Sequence, residues 1–236
     1  LLPRAVIVST EADGNRYRGI RIARRDEIAA RATLASYTTP GQYVLIEVPG
    51  AQGSGYFAMA RAPDSDCHSL AFLVKEQEGL SGELSQLQPG AVIGMSDPIG
   101  QGFALDRAAL KDVLLLAAGS GIGPIRGAVE AMCHERDRYG SIRLYYGQAD
   151  AAEFAFRPWL ESLAAHDIEV QLVLSGKDAV DGYAHGYVQA AADREDNFAA
   201  PKHLCVVLCG MAEMQREATE RCLARGVARG QILTNY

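Results

Sequence analysis

The stretch VLLLAAGSGIGPIRGAVEAM, residues 113–132, joins an aliphatic run to a glycine-rich turn and then to a helical pattern. Val113, Leu114, Leu115 and Leu116 in succession predict a strand buried on both faces. Two alanines lead into Gly119-Ser120-Gly121-Ile122-Gly123-Pro124, and an amphipathic helix is expected from about Ile125. Pro124 suits a first helical turn, where a missing N–H costs nothing. Strand, glycine loop and helix in that order turn unpaired backbone N–H groups and the positive end of a helix dipole toward an anion, most often a pyrophosphate. The same glycines would serve equally for tight packing of helix on strand, and the stretch alone leaves both readings open.

The chain has 236 residues, 48% of them hydrophobic and 22% charged, which suits one large folded domain or two of roughly 110–120 residues each. Its longest apolar runs fall well short of the ~20 residues that a membrane-spanning helix needs. A formal net charge of −6 argues against general nucleic-acid binding, which calls for a basic face. The cysteines, Cys67, Cys133, Cys205, Cys209 and Cys222, form no C-x-x-C pair. No zinc or iron–sulfur ligand set is therefore expected, and a reducing compartment is the simpler setting. The chain opens on Leu1 and not on methionine, as it would had a leading segment been removed.

Residues 1–108 read as short strands. Arg4–Ser9 and Tyr17–Ile22 flank a turn at Asp13-Gly14-Asn15, and further strands are expected over Tyr43–Val48, Tyr56–Ala60, Ser69–Lys75 and Ala91–Met95. Pro40-Gly41, Pro49-Gly50, Pro89-Gly90 and Pro98-Ile99-Gly100 punctuate them. Such spacing, with almost no helical periodicity, predicts a small antiparallel barrel or sandwich in which only Gly82–Leu87 has room for a helical turn or two. Six arginines lie between Arg16 and Arg31. They read either as solvated strand faces and a loop or as a docking surface for an acidic partner.

Residues 109–236 alternate strands with helices. Strands are expected over Arg143–Gly147, Glu169–Leu174 and Leu204–Leu208, and helices over Glu153–Ala165, Tyr187–Asp193 and Met211–Arg225. That alternation predicts a parallel sheet with helices on both faces, whose ligands bind at the carboxyl ends of the strands. Gly119, Gly147, Ser175 and Cys209-Gly210 all fall at such ends, as one cleft lip would require. Tyr146 and Trp159 suit the core of this domain.

A barrel followed by a nucleotide-binding α/β domain resembles the ferredoxin–NADP reductase superfamily, and the motifs follow that order along nearly the whole chain. Pro40-Gly41-Gln42-Tyr43-Val44 resembles the family's strand entry, and Asp97-Pro98-Ile99-Gly100-Gln101-Gly102-Phe103 its turn into the second domain. Gly119–Pro124, with Ser120, Gly121 and Ile122, resembles the loop that receives the NAD(P) pyrophosphate. Leu208-Cys209-Gly210 is similar to the motif beside the nicotinamide, and Gly186-Tyr187-Val188-Gln189 to the segment at the adenosine end. GSGIGPIR, RLYYG, GYVQAA and VLCG are most similar to segments of the plant chloroplast FNR-like proteins.

The resemblance implies a Greek-key flavin barrel over 1–108, an NAD(P)-binding domain over 109–236, and FAD and NADP as cofactors, with NAD left open. The family's R-x-Y-S flavin motif falls at Gly55-Tyr56-Phe57-Ala58, followed by Met59. Glycine and alanine thus stand where an arginine and a hydroxyl are usual, while Phe57 keeps a ring able to stack on a flavin. Gly79-Leu80-Ser81-Gly82 resembles the second flavin motif, and Phe72-Leu73-Val74-Lys75 the strand along the ribityl chain. Gly176 and His185 fall where arginines usually grip a 2′-phosphate, leaving Lys177 as a point charge beside the Ser175 hydroxyl. Cys209 is either a core thiol or a contact to nicotinamide. Tyr236, at the end of the chain, is either a frayed terminus or the aromatic cover of the flavin. The implied activity is hydride transfer from NADPH to flavin and onward to an acceptor, in a chloroplast stroma, with an acidic carrier such as ferredoxin as a candidate partner. A structural or regulatory subunit with little turnover is the alternative that the degraded motif leaves open. An electron-transfer subunit like that of dihydroorotate dehydrogenase would require clustered cysteines, which Cys205, Cys209 and Cys222 do not form.

Overall fold

Alternating apolar residues on short strands build the first half around one core. The structure, a computed structural model, describes residues 2–64, 68–176, 179–194 and 197–235. β1 (Arg4–Ala12) and β2 (Tyr17–Arg24) form a hairpin closed by the Asp13 N–H donating to the Tyr17 carbonyl at 2.9 Å, with Gly14 at φ 77°. After α1 (Glu27–Ser36) come β3 (Tyr43–Glu47), β4 (Gly55–Ala58), β5 (Leu70–Lys75), α2 (Leu80–Gln86) and β6 (Val92–Met95). The six strands pair antiparallel in the order β4-β3-β6-β1-β2-β5. The two edges meet where Met59 bridges Phe72 and the Ala60 N–H donates to the Ala71 carbonyl, so the sheet curls into a barrel. Ile7, Ile20, Ile22, Val44, Ile46, Phe72, Val74, Ile93 and Met95 fill it.

Helix α1 corrects the expectation that the first half holds no helix beyond residues 82–87. Asp26 caps it, its carboxylate accepting from the Ala29 N–H at 2.9 Å, and Glu27 sits in the first turn. Its alanines favour the helical state, but only Thr33 is fully buried, so no apolar stripe announces it. The helix is tied to the barrel by Arg24, whose buried guanidinium donates to Thr33 Oγ1, to the Pro3 and Met95 carbonyls and to Asp97. Arg16 pairs with Glu153, Arg18 with Glu76 and Arg31 with Glu27, and Arg21 donates to Ser69. Most of the arginine cluster is therefore engaged within the fold.

In the second half, β7 (Asp112–Ala118) leads through a single 3-10 turn at Gly119–Gly121 into α3 (Ile122–His134). The helix begins three residues before the expected Ile125, with Pro124 still inside its first turn. β8 (Ile142–Gln148), α4 (Arg157–Ser162), β9 (Ile168–Leu174), β10 (Ala184–His185), α5 (Val188–Arg194), β11 (Leu204–Cys209), α6 (Ala212–Ala224) and β12 (Ile232–Leu233) follow. The helix expected over residues 153–165 is instead two 3-10 turns around a short α4. The chain breaks between them because Phe156 adopts φ 59° and Phe154 and Ala155 turn into the core.

The second sheet is parallel in the order β10-β9-β8-β7-β11-β12. Period-two alternation divides each strand between two cores. Val113, Leu115 and Ala117 face α3, while Leu114 and Leu116 share the opposite core with residues of α5 and α6. Tyr146 is fully buried in the α3-side core and Trp159 packs at its margin. That core also takes in Tyr17, Ala60, Leu73 and Phe103 from the first half, so the two halves share packing. Gly123 and Gly127 of α3 make this possible. A Cβ at Gly127 would stand 2.7 Å from the Arg61 carbonyl oxygen, and one at Gly123 3.3 Å from Ala60 Cβ.

Candidate active site

The strand order turns back between β7 and β11, and in such sheets a crevice opens outside the carboxyl ends at that point. A cleft of about 880 Å³ lies there, walled on one side by the barrel and on the other by strand ends of the second sheet. The barrel wall is Tyr56, Phe57 and Ala58 of β4, Leu73, Val74 and Lys75 of β5, and Leu80 and Ser81 where α2 begins. The opposite wall is Gly119, Ser120, Gly121 and Pro124, then Gly147–Ala149, Ser175, Gly186–Gln189 and Cys209–Met211. The structure thus brings Gly119, Gly147, Ser175 and Cys209-Gly210 to one lip.

The two motifs nearest the switch point are interlocked. A Cβ on Gly121 would fall 2.3 Å from the Cys209 carbonyl oxygen and 2.8 Å from the Gly210 nitrogen. Gly121 is glycine because the end of β11 passes over it. Gly119 has a different reason: its φ is 59°, and the nearest atom to a Cβ there is the Tyr17 hydroxyl at 3.5 Å. Close packing and left-handed backbone are therefore divided between two glycines of one loop.

Helix α3 starts from Gly121 with no side-chain cap, as α6 starts from Met211, and both starts line the cleft. The first-turn N–H groups of α6 lack intrahelical acceptors, whereas at α3 the Ile122 N–H donates to the Gly119 and Ser120 carbonyls and Pro124 has none; α1, away from the cleft, is capped. Among the described residues lining the cleft, Lys75 is the only cation, and Glu78 and Glu153 line it too. Any phosphate seated here is held chiefly by backbone amides and helix ends.

Cys209 lies on the cleft wall yet is largely buried, and burial pushes its thiol up to about 12. It stays a neutral S–H, donating toward Asn235 Oδ1 at 3.8 Å. Asn235 in turn donates to the Gly41 carbonyl at 3.3 Å, linking the end of the second sheet to the barrel. Cys205 is fully buried on the same strand, pushed up to about 11, and does not reach the cleft. Tyr187 is exposed at the cleft mouth, while Gln189 is buried with its amide donating to Glu217 at 2.7 Å. Ser175 is turned back, its hydroxyl donating to the Gln148 carbonyl at 3.3 Å.

At the barrel end, Tyr56 stands exposed with its ring edge-on to Tyr43 at 5.3 Å, while Phe57 packs between cleft and core. A Cβ on Gly55 would meet Leu80 Cδ2 at 2.7 Å and the Phe57 ring at 3.2 Å. A side chain at this position would require the Leu80 side chain to move aside. Gly79, at φ 85°, begins α2 in open space, whereas a Cβ on Gly82 would stand 1.9 Å from the Gln77 carbonyl oxygen, making Gly82 a packing glycine. Neither lines the cleft.

Besides Gly79 and Gly82, three of the expected site residues do not line the cleft. Met59 and Phe72 point into the barrel core, and Ile122 is buried under α3 in the second core. Their motif neighbours Ala58, Val74 and Gly121 do line the cleft. Lys177 and Tyr236 lie outside the described residues. Sequence reasoning missed Gln148, Glu153, Met211 and Met214 on the cleft wall. Gln148, directly after the strand-end glycine, was the one that spacing could have found.

The residue types fit the groups that the resemblance implies. Apolar and aromatic side chains form a slot for a flat ring on the barrel side, and glycine backbone forms a seat for a diphosphate opposite. Among the described residues, no group of three or more His, Cys, Asp or Glu could hold a metal ion, and no helix is long and apolar enough to cross a membrane.

Comparison with known proteins agrees with this layout. The oxidoreductase NAD-binding domain family matches residues 115–220. The chain is 29% identical over 210 residues to fruit protein pKIWI502 of Actinidia deliciosa, covering 84% of this chain and 66% of that one. It is 29% identical over 163 residues to the phenol 2-monooxygenase reductase component DmpP of a Pseudomonas species, covering 65% and 46%. A ferredoxin NADP+ reductase from Neisseria gonorrhoeae, solved with bound FAD and NADP, superposes with a TM-score of 0.81 at 19% identity, covering 99% of this chain and 97% of that one. The chain spans about two thirds of the Actinidia protein and under half of the reductase component.

Proposed function

We propose that this chain belongs to the ferredoxin–NADP reductase superfamily and is an FAD-dependent NAD(P)H oxidoreductase that hands electrons to a separate acceptor, a reading supported by its two-domain fold and its match to the NAD-binding domain family. One observation carries the reading: a single cleft runs unbroken from the aromatic barrel wall at Tyr56–Ala58 to the glycine loop and Cys209-Gly210. A flavin seated there supplies a two-electron acceptor that can release electrons singly.

The chain's own residues bind, orient and exclude water. Tyr56, Phe57, Ala58 and Val74 would hold the ring system, and the α3 start would hold the dinucleotide's diphosphate. The neutral Cys209 thiol would border the nicotinamide as a small group that takes no charge. Hydride transfer itself requires no general base. NADPH is the donor favoured by motif resemblance, and an oxygenase component or a ferredoxin is the class of acceptor favoured by relatives such as the phenol monooxygenase reductase component.

Titration of the purified chain with FAD, followed by quenching of flavin fluorescence, tests this. Saturable binding near one equivalent is expected, and a chain that stays colourless and takes up no FAD removes the reading. A second reading, a bound-flavin subunit without turnover, draws on Gly55 and Ala58, where the motif resemblance expects an arginine and a hydroxyl. Flavin that binds but stays oxidised under both NADPH and NADH would favour it.

A further inference from the structure

The β1–β2 hairpin reaches out of the barrel into the loop that follows β8. The Asn15 N–H donates to the Ala152 carbonyl at 2.9 Å, and the Phe156 N–H donates to Asp13 Oδ1 at 2.6 Å. Gly14 sits so close that a Cβ would stand 3.2 Å from the Phe154 carbonyl oxygen, and Arg16 pairs with Glu153 at 3.4 Å. At the cleft end of this contact, Tyr17 is almost completely buried in the core of the second domain. Its hydroxyl exchanges hydrogen bonds with the Gln148 amide at 3.2 and 3.3 Å, and the same amide donates to Tyr146 Oη at 2.7 Å. Gln148 lines the cleft and its carbonyl accepts from Ser175 at 2.9 Å, whereas Tyr17 does not line the cleft. The same hydroxyl lies beneath Gly119.

We propose that this hairpin is the latch that sets the spacing of the two domains, and that Tyr17, acting through Gln148, is a positioning residue for transfer across the cleft. The flavin wall belongs to the barrel and the dinucleotide wall to the parallel sheet, so each ligand can bind its own wall without the latch. What the latch governs is the distance between them, and misplacing reacting groups by ~1 Å can lower a rate by ~10²-fold. The proposal rests on the reading of the cleft given above.

The test is Tyr17→Phe in the full chain, which keeps the packed ring and removes only the hydroxyl. Without flavin, exchange of the Asn15 and Phe156 amides is expected to quicken by about tenfold or more, while Leu115 inside β7 keeps its protection. With FAD loaded, the reduction rate at saturating NADPH is expected to fall about tenfold, with flavin content and half-saturation within about twofold of wild type. Asp13→Ala should show the same pattern. Asp13→Asn, which keeps a carbonyl oxygen for Phe156, should restore it. Unchanged exchange at Asn15 and Phe156 in Tyr17→Phe overturns the latch. A rate within twofold of wild type, or one that falls only in step with flavin content or half-saturation, overturns the positioning role. A wild-type chain that neither dinucleotide reduces counts against the oxidoreductase reading, while the exchange result still decides the latch.

Discussion

Replacing Gly121 by alanine should cost far more than replacing Gly119 two residues earlier, although both belong to one glycine loop. The Gly121 Cβ would lie 2.3 Å from the Cys209 carbonyl oxygen and 2.6 Å from its carbon. Ordinary contact begins near 3.4 Å, so about 1 Å must be found by moving backbone, since no flexible side chain stands in the way. Overpacking of this kind costs ~1–3 kcal/mol, and a backbone obstacle puts Gly121→Ala at the upper end, ~3 kcal/mol. For a chain of this size, at ~2–4 °C per kcal/mol, the melting temperature should drop by ~6–12 °C. Gly119→Ala meets nothing closer than 3.5 Å and carries chiefly the left-handed backbone penalty, ~1 kcal/mol or a little more, worth ~2–4 °C. Thermal unfolding of the two variants beside wild type measures the order. Gly121→Ala melting no lower than Gly119→Ala would refute the interlock between the loop and Cys209-Gly210.

Other substitutions probe the barrel and the thiol. Arg24→Met removes the donor from the Met95 and Pro3 carbonyls, while Thr33 keeps Asp97 as its acceptor and the largely exposed Asp97 hydrates; the loss should therefore be that of the unmade hydrogen bonds, ~1–3 kcal/mol, read by denaturant midpoint. Hydrogen bonds from Thr33 and then Arg24 hold the Asp97 carboxyl below its ordinary value of 3.8. Its contribution is thus present above that value and lost as pH falls through the lowered one, and Asp97→Asn should flatten the acid limb of the stability curve. Cys209, pushed up to about 12 by burial, should resist iodoacetamide between about pH 7 and 9 and be labelled only on unfolding, as peptide mapping would show. Rapid native labelling of Cys209 would contradict its burial.

Much of this was legible because it is local. Val113–Leu116 announced a doubly buried strand, and the glycines at 119, 147 and 210 marked strand ends, since both signals depend on near neighbours in the chain. Helix α1 was not legible: it rests on an Asp26 cap and alanine propensity, with Thr33 alone fully buried, so hydrophobic periodicity has nothing to show. β10 and β12 are two residues each and exist only through pairing with β9 and β11. Motif spacing grouped Met59 and Phe72 with the cleft-lining Ala58 and Val74; Phe72 and Val74 share one strand face, so alternation could not have told them apart. The contact of Tyr17 with Gln148, 131 residues apart, carries no sequence signal at all, because it forms only once the barrel docks. The different duties of Gly119 and Gly121 emerge for the same reason, from what crosses over them.

Anaerobic mixing of the FAD-loaded chain with excess NADPH, and separately NADH, followed at the flavin absorbance band, bears most directly on whether the cleft joins two cofactors. Bleaching of the oxidised flavin by at least one dinucleotide, at a rate that saturates with its concentration, is the expected result. Flavin that remains oxidised with both, in a chain shown to bind both, would contradict it.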